Sequence, residues 1–221
     1  MLLAPAELVS FVVTTTTEAD VKLRGYRPGD RADIYDVCVR TGAAGEDATG
    51  KFQRPELLGD IYAGPYVEHE PGLAFVLEAG GRAVGYILGT ADTKGFVEWY
   101  SSSWIPRFGD GYEEPKGSPA TPDEGLLVAF HHPERMLMLE AAQYPAHLHI
   151  DILAPYQGAG WGRRLIEAFL DAVAAAGAPA VHLAVAATNT RAQGFYRRLG
   201  FEQLDVAGMV GSLVLVRSTS R

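Results

Sequence analysis

The sequence predicts a single α/β domain at residues 21–221, and two stretches of the 221-residue chain carry that prediction. Residues 148–162, LHIDILAPYQGAGWG, are typical of a buried strand that runs into a glycine-rich turn at the start of a helix. Apolar residues then continue at helical spacing over 163–173. Residues 73–78 and 83–90 have the pattern of two strands joined by an Ala-Gly-Gly hairpin. A chain of this length can bury one substantial core, so we expect one domain with an insertion.

The elements before that hairpin follow from turn and cap signals. Residues 1–20 are an N-terminal arm for which the sequence leaves a strand, a short helix and a flexible segment open. The first strand is expected at 21–26, and the Pro-Gly-Asp turn after it places Asp30 to cap a helix that runs through Arg40. A glycine-rich loop then leads to a second helix near 55–63, directly before the strand pair.

A segment at about 92–146 is predicted to be an insertion between the third and fourth strands. Asp92 is placed to cap a helix through Ser103, and the residues after it are rich in proline and glycine as far as Pro122. The following stretch, LLVAFHHPERMLM, begins as either a short strand or a helix. The aromatic residues of the insertion could line an acceptor pocket or pack the inserted helix on the sheet, and packing is favoured. They are Trp99, Tyr100, Trp104 and Phe108.

The glycine-rich turn, residues 157–162, predicts a phosphate site. Its glycines let the backbone approach a ligand, and the first N–H groups of the next helix have no partner inside it, so they favour an anion such as pyrophosphate. A nucleotide P-loop is excluded because Gly162 is followed by Arg163 and Arg164, where Lys and Ser or Thr are needed. A dinucleotide fold is disfavoured because the next strand, 181–185, does not end in an acidic residue. The alternative is a tight connection that binds nothing.

Two linked motifs in this part of the chain resemble those of the GNAT superfamily of acetyl-CoA-dependent acetyltransferases. One is a Gln-x-x-Gly-x-Gly turn between a strand and a helix, and the other is an asparagine followed downstream by Phe-Tyr-x-x-x-Gly-Phe. The resemblance covers about residues 148–204, and the matching residues are Gln157, Gly160, Gly162, Asn189, Phe195, Tyr196, Gly200 and Phe201. It implies a mixed, mostly antiparallel twisted sheet of about seven strands, splayed between strands four and five and flanked by helices. Acetyl-CoA, the implied acetyl donor, would bind in that opening.

The strand LHIDIL and the long insertion are also similar to the acetyltransferase-like domain of animal O-GlcNAcases and to its bacterial relatives.

The superfamily resemblance assigns roles at the cofactor site. Backbone N–H groups of residues 152–154 would hold the pantetheine arm and the thioester oxygen, and Asn189 would bind the same arm, with a helix cap as its alternative role. Arg163 and Arg198 could reach phosphates or be solvated surface charges. Tyr196 would protonate the departing thiolate, since a phenol with a pKa of about 10 stays protonated at neutral pH; core packing is the alternative. The cofactor-binding set is Ile152, Leu153, Ala154, Gln157, Gly158, Ala159, Gly160, Trp161, Gly162, Arg163, Asn189, Ala192, Phe195, Tyr196 and Arg198.

The fourth strand alternates so that polar side chains share one of its faces. His147, His149 and Asp151 lie on that face, and a central strand of an α/β sheet is normally apolar on both faces. We therefore expect a site, with Asp151 or His149 as the general base and His149 having the better unperturbed pKa for the task. A structural cluster in which these side chains hydrogen-bond one another or nearby backbone is the alternative.

Composition limits the remaining function classes. A net charge of −8 and a pI near 5.2 argue against a nucleic-acid partner. The single cysteine, Cys38, lies in an apolar helical stretch and is expected to be a buried structural thiol. The adjacent His131 and His132 point in different directions and nothing supplies further ligands at familiar spacing, so no metal is predicted. Without a membrane-length apolar run or a convincing signal peptide, a cytoplasmic protein with no membrane association is expected.

The predicted function is transfer of acetyl from acetyl-CoA to an amine of a small molecule or peptide, by direct attack in a ternary complex. The alternative is a catalytically inactive acetyl-CoA-binding module that serves in interaction or sensing. A monomer and a homodimer both remain open.

Overall fold

A computed structural model of the chain describes residues 21–220, so the predicted N-terminal arm lies outside the described residues. Seven strands form one sheet in the order β1-β2-β3-β4-β5-β7-β6. Every neighbouring pair is antiparallel except β4 and β5, which are parallel, so the predicted mixed sheet is confirmed. The strands are β1 (Val21–Gly25), β2 (Phe75–Ala79), β3 (Arg82–Thr90), β4 (Ala146–Ile152), β5 (Ala180–Ala186), β6 (Glu202–Leu204) and β7 (Ser212–Ser218).

Helices cover both faces of the sheet. They are α1 (Arg31–Thr41), α2 (Glu56–Tyr62), α3 (Gly64–His69), α4 (Thr93–Trp99), α5 (Pro122–His131), α6 (Trp161–Ala175) and α7 (Thr190–Arg198). The stretch left open between strand and helix lies in α5 and the turns that follow it. The sequence did not predict α3, because its Gly-Pro start has the composition of a turn; proline is nevertheless well suited to the first turn of a helix. Among residues 21–220, none of these helices combines the length and the apolar character needed to cross a membrane.

The predicted cap at Asp30 is wrong, although the helix after it is present. Both carboxylate oxygens of Asp30 accept from the Arg24 guanidinium at 2.7 Å, and one also accepts from the Arg27 N–H at 2.7 Å. The carboxylate therefore joins β1 to the start of α1 and makes no capping bond to α1 itself. A bidentate guanidinium–carboxylate pair is stronger than a single bond from a backbone N–H, which explains this choice of partner.

The predicted hairpin between β2 and β3 is confirmed. Gly80 and Gly81 have φ angles of 57° and 80°. Two consecutive left-handed residues are the requirement of a type I′ turn, which matches the twist of the flanking strands.

Two apolar cores lie on opposite faces of the sheet, and β4 separates them. On one face α6 buries Leu165, Phe169 and Val173 at the predicted helical spacing, together with Leu148 of β4. On the other face α1 to α4 and α5 surround a second core that contains Leu153 and much of the insertion. Alternate β4 side chains therefore point into different cores, so the polar ones share the face covered by α1 and α3.

The insertion between β3 and β4 packs through its aromatic residues, as predicted. The Asp92 side chain caps α4 by accepting from the Lys94 N–H, and a π-helical turn continues the helix to Trp104. Tyr100 and Trp104 are 1% and 2% exposed. The Trp104 indole donates to the carbonyl of Asp60 in α2 at 2.9 Å, which fastens the insertion to the main body of the domain.

Candidate functional site

The site is an opening where β4 and β5 separate. In the described part of the chain these strands pair only at Ala146–Val181 and His147–His182, and beyond that point they diverge. A cavity of about 580 Å³, a typical volume for a small-molecule site, fills the opening. Besides Leu148 to Ile152 of β4, the residues that line it are Thr41, Ala44, Gly45, Glu46, Gln157, Gly158, Gly160, Gly162, Arg163, Leu183, Ala184, Val185, Ala186, Asn189, Arg191, Ala192, Phe195, Tyr196, Arg198 and Leu199.

The backbone of β4 presents hydrogen-bonding groups to this opening. The Leu153 N–H donates to the Val84 carbonyl of β3 at 3.0 Å. Backbone groups of alternate strand residues point to the same side, so those of Ile150 and Ile152 point toward β5 and into the gap. The Ile152 carbonyl accepts from the Gln157 side chain at 2.6 Å. Of the donors expected at residues 152–154, the Ile152 N–H therefore faces the opening, whereas that of Leu153 is committed to β3 and cannot serve a ligand.

The three glycines of the turn are needed for different reasons. Gly158 and Gly160 have φ angles of 86° and 83°, which other residues rarely adopt. A Cβ on Gly162 would lie 2.9 Å from the ring of Phe195, so this glycine lets α6 pack closely on α7. Gly160 immediately precedes the 15-residue α6, whose first N–H groups point out of the helix beside the cavity. The resulting cradle has the free N–H donors and the helix start that an anion site requires.

Three arginines line the cavity of this otherwise acidic protein. They are Arg163 in the first turn of α6 and Arg191 and Arg198 in α7. Arg163 has one loose ion pair, at 3.7 Å to Glu167, and both side chains are more than half exposed. The sequence did not identify Arg191. The spacing could have identified it, because residues seven apart on a helix share a face and Arg191 precedes Arg198 by seven residues.

Asn189 takes the alternative role predicted for it. Its side-chain oxygen caps α7 by accepting from the Ala192 N–H at 3.0 Å, and its amide nitrogen donates to the Ala44 carbonyl at 2.8 Å. A Cβ on Gly45 would lie 2.9 Å from the same nitrogen. The loop after α1 is thereby fastened to the start of α7 at the rim of the cavity. One N–H of the amide remains for the expected bond to a pantetheine arm.

Asp151 and Tyr196 face the same cavity from β4 and α7. The Tyr86 hydroxyl donates to Asp151 Oδ2 at 2.7 Å. Burial raises the pKa of Asp151, and hydrogen bonds from Tyr86 and Thr41 oppose that rise. Burial also raises the pKa of Tyr196, and the neighbouring Asp151 charge raises it further. Cys38 is buried beside Tyr86, and burial raises the pKa of its thiol to about 12, so the predicted buried thiol is confirmed.

The two histidines of β4 are linked through one tyrosine. The Tyr66 hydroxyl lies 2.8 Å from His147 Nε2 and 3.1 Å from His149 Nε2. Burial lowers the pKa of His149 to about 4, and the nearby Arg135 lowers it further. In the fold its pKa therefore lies below the unperturbed value on which the expectation of His149 as a general base rested. His147 is 5% exposed and belongs to the structural cluster that was the alternative for this face.

Not every predicted site residue reaches the cavity wall. Leu153, Ala154, Ala159 and Trp161 do not line it; Trp161 packs into the same core as Leu153, with the Arg164 guanidinium 4.5 Å from its ring. The loop after α1 and the exit of β5 line the cavity without having been predicted. The glycines of that loop, in TGAAGEDATG, were the available signal, although they do not indicate which surface the loop meets.

Comparisons with known proteins agree with this geometry. Residues 45–201 match the family model described as Acetyltransferase (GNAT) family. The rat protein O-GlcNAcase, from Rattus norvegicus, is 28% identical over 207 residues, which cover 91% of this chain and 22% of that protein. The chain thus spans about a fifth of the length of the curated relatives it matches.

Two solved structures show how far the likeness extends. SsHAT is 48% identical, with a TM-score of 0.88 over 91% of this chain and 100% of its own. YncA of Salmonella typhimurium, solved with its cofactor acetyl-CoA, is 13% identical, with a TM-score of 0.53 over 91% of this chain and 95% of its own, and shows the fold alone. The predicted family and fold are confirmed.

Proposed function

This chain belongs to the GNAT acetyltransferase family, and from that premise we propose that it transfers an acetyl group from acetyl-CoA directly to an amine. Acetyl-CoA is the donor of the family, in agreement with the donor expected from the glycine turn. The acceptor is the amine of a small molecule or peptide, and it enters the cavity between β4 and β5.

One observation carries the proposal: an acid–base pair and an anion cradle share a single cavity. Asp151 and Tyr196 lie in the wall between the strands, and the Gly158–Gly162 turn with the start of α6 lies in the wall of the same cavity. Acyl transfer needs a proton acceptor for the nucleophile and a proton donor for the leaving group, close to where the acyl donor is held. A structural cluster alone does not require either group to face an open cavity.

The chemistry divides between these two side chains. Bound acetyl-CoA would supply a thioester whose carbonyl carbon the amine attacks. Asp151 accepts the proton that the amine loses, and its raised pKa brings it closer to that of the amine than an ordinary carboxylate would be. Tyr196 supplies a proton to the departing sulfur, and its raised pKa keeps the phenol protonated through neutral pH. Burial lowers the pKa of His149, the other β4 candidate, to about 4, which makes it a weaker base than an ordinary imidazole.

The cavity wall also favours a cationic acceptor. Glu46, in the loop after α1, is one of the residues that line the cavity. A carboxylate there attracts an ammonium group before it loses its proton. The arginines of α6 and α7 supply the opposite charge for the phosphates of the donor. The wall of one cavity thus carries charges that suit both substrates.

The first test separates binding from chemistry. Calorimetry with acetyl-CoA should show binding to the native chain and its loss in Gly160→Asp, because a carboxylate at this position repels the pyrophosphate. Gly177→Asp is the matched control, since Gly177 lies beyond the other end of α6 with a comparable φ of 92° and open space around it. Absence of binding to the native chain, or equal loss in both variants, would contradict the cofactor site.

The second test measures turnover of an amine panel. Tyr196→Phe should lower kcat by about 10²- to 10⁴-fold while acetyl-CoA still binds, as loss of a general acid does. Tyr156→Phe, which lies outside the cavity wall, should leave kcat unchanged. Binding of acetyl-CoA without turnover of any amine would replace the transferase proposal with the alternative of an acetyl-CoA-binding module.

A further inference from the structure

A chain of buried hydrogen bonds reaches His149 from the side of β4 covered by α3 and α4. Thr93 Oγ1 lies 2.8 Å from His147 Nδ1 and 2.7 Å from the Pro145 carbonyl. His147 Nε2 lies 2.8 Å from the Tyr66 hydroxyl, which lies 3.1 Å from His149 Nε2. We call this series the tautomer chain. It consists of Thr93, His147 and Tyr66, and it ends on His149.

The positions of the protons in the tautomer chain follow from the Thr93 end, where the acceptor is a backbone carbonyl. A carbonyl oxygen only accepts, so the single Thr93 hydroxyl proton goes to Pro145. Thr93 Oγ1 must then accept from His147, which places a proton on His147 Nδ1. Burial holds the pKa of His147 well below its usual value, so the ring is neutral and its Nε2 carries a lone pair. Tyr66 therefore donates its one proton to His147.

The same elimination fixes the tautomer of His149. Because the Tyr66 proton is used on His147, the Tyr66 oxygen can only accept from His149, which places a proton on His149 Nε2. In the neutral ring the lone pair then lies on Nδ1. That atom has no hydrogen-bond partner among the described residues, and His149 is one of the residues that line the cavity. Of the two ring nitrogens, Nδ1 is therefore the one left for a ligand in the cavity.

Packing holds the tautomer chain rigidly enough to keep the proton on His149 Nε2. Tyr66 is 1% exposed, and its ring stacks on Phe96 with centroids 4.4 Å apart and planes 15° from parallel. The Phe96 ring also meets His147 edge-on at 5.5 Å. The hydroxyl also lies 3.6 Å from Met136 Sδ, but a thioether sulfur is a weak acceptor, so it competes poorly with the ring nitrogen of His147 for the Tyr66 proton.

We propose that the tautomer chain is a positioning device that holds His149 protonated at Nε2, so that Nδ1 accepts a hydrogen bond from the N–H of the acceptor amine. Thr93, His147 and Tyr66 are positioning residues, and His149 is the residue that orients the amine for Asp151. The fixed tautomer stands on the hydrogen bonds together with the neutral ring of the buried His147, whereas the contact with the amine rests on the proposed function.

The test of the tautomer uses the full chain labelled with ¹⁵N-histidine. Two-bond ¹H–¹⁵N correlation spectra at pH 7, assigned with His149→Gln and His147→Gln, should show His149 protonated at Nε2 and His147 protonated at Nδ1. Tyr66→Phe should turn the pure His149 pattern into a mixture of tautomers. Tyr62→Phe is the matched control, because the Tyr62 ring meets His149 edge-on at 5.6 Å without a hydrogen bond to it.

Two variants of Thr93, at the other end of the tautomer chain, keep the test decisive if Tyr66→Phe does not fold. Thr93→Val should disturb the His147 pattern, and Thr93→Ser, which restores the hydroxyl, should rescue it. A native His149 protonated at Nδ1, or unchanged spectra in both folded Tyr66→Phe and Thr93→Val, would overturn the tautomer assignment.

The contact with the amine is measured kinetically. Tyr66→Phe should raise KM for the best amine of the panel by about 3- to 10-fold, the effect of one weakened neutral hydrogen bond, and leave the Kd of acetyl-CoA unchanged. An unchanged KM in a variant with altered tautomer would overturn the role toward the amine. If the native protein turned over no amine, the proposed function would be overturned, and the spectra would still decide the tautomer of His149.

Discussion

Replacing Tyr86 by phenylalanine should raise the pKa of Asp151 by about one to two units. The Tyr86 hydroxyl donates to Asp151 Oδ2 at 2.7 Å, and this bond lowers the pKa that burial raises. A hydrogen bond to a charged group contributes about 1.5–3 kcal/mol. Since one pKa unit corresponds to about 1.4 kcal/mol, removal of the bond destabilises the charged carboxylate by about one to two units.

The assay is the pH dependence of kcat/KM with acetyl-CoA and the best amine. Asp151 acts as the base only when it is deprotonated, so activity falls as the pH drops through its pKa, and in Tyr86→Phe this fall should begin about one to two pH units higher. Tyr66→Phe is the matched control: it removes another buried tyrosine hydroxyl from the same face of β4, and it should leave the midpoint in place.

A readout independent of activity separates the two steps of the reasoning. The carboxyl ¹³C resonance of Asp151 should titrate at the higher pH in folded Tyr86→Phe. An unshifted titration would refute the electrostatic argument. A shifted titration with an unshifted activity profile would refute the assignment of Asp151 as the base.

Three further predictions concern stability and the donor site. The pKa of buried His182 is lowered, so it destabilises the fold as the pH falls below about 6.5; His182→Asn, which can still donate to the Tyr144 carbonyl, should reduce the slope of unfolding free energy against pH in urea titrations just below pH 6.5, and an unchanged slope would contradict the burial of a neutral ring. Gly89→Ala should lower the free energy of unfolding by about 3 kcal/mol or abolish folding, because the new Cβ would lie 2.2 Å from a β4 carbonyl oxygen; an equally stable variant would contradict the strand packing described. Arg198→Ala should weaken acetyl-CoA binding about tenfold by calorimetry, whereas Arg197→Ala, exposed and outside the cavity wall, should not, and equal effects would mean that net charge alone is responsible.

Features set by neighbouring residues could be predicted from the sequence. The Gly80-Gly81 hairpin, the helical spacing of α6 and the alternation of β4 each depend on a few adjacent positions, and all three are present in the structure. The cap at Asp30 was not predictable in the same way, because its actual partner, Arg24, precedes the turn and competes with the helix N–H groups. A local sequence pattern identifies a hydrogen-bond donor or acceptor, but it does not say to which of several possible partners that group will bond.

The rim of the cavity shows the limit imposed by sequence separation. Asn189 bonds to the carbonyl of Ala44, 145 residues earlier in the chain. No periodicity connects the loop after α1 with the start of α7, so the cavity-lining role of residues 41–46 could not be inferred from the glycines of that loop. The cap at Ala192, three residues from Asn189, was by contrast among the stated alternatives because it is local.

The polar face of β4 shows why its residues could be identified and their roles could not. His149 and Asp151 are two residues apart on one strand, yet a different buried tyrosine contacts each of them: Tyr66 from α3 and Tyr86 from β3. The Tyr86 hydroxyl donates a hydrogen bond to the Asp151 carboxylate and favours the charged form of that carboxylate. The Tyr66 hydroxyl donates to His147, so its oxygen can only accept from His149. In the proposed mechanism the direction of these two hydroxyl groups makes Asp151 the base and His149 a neutral hydrogen-bond acceptor, and that direction is set by partners 65 to 83 residues away in sequence.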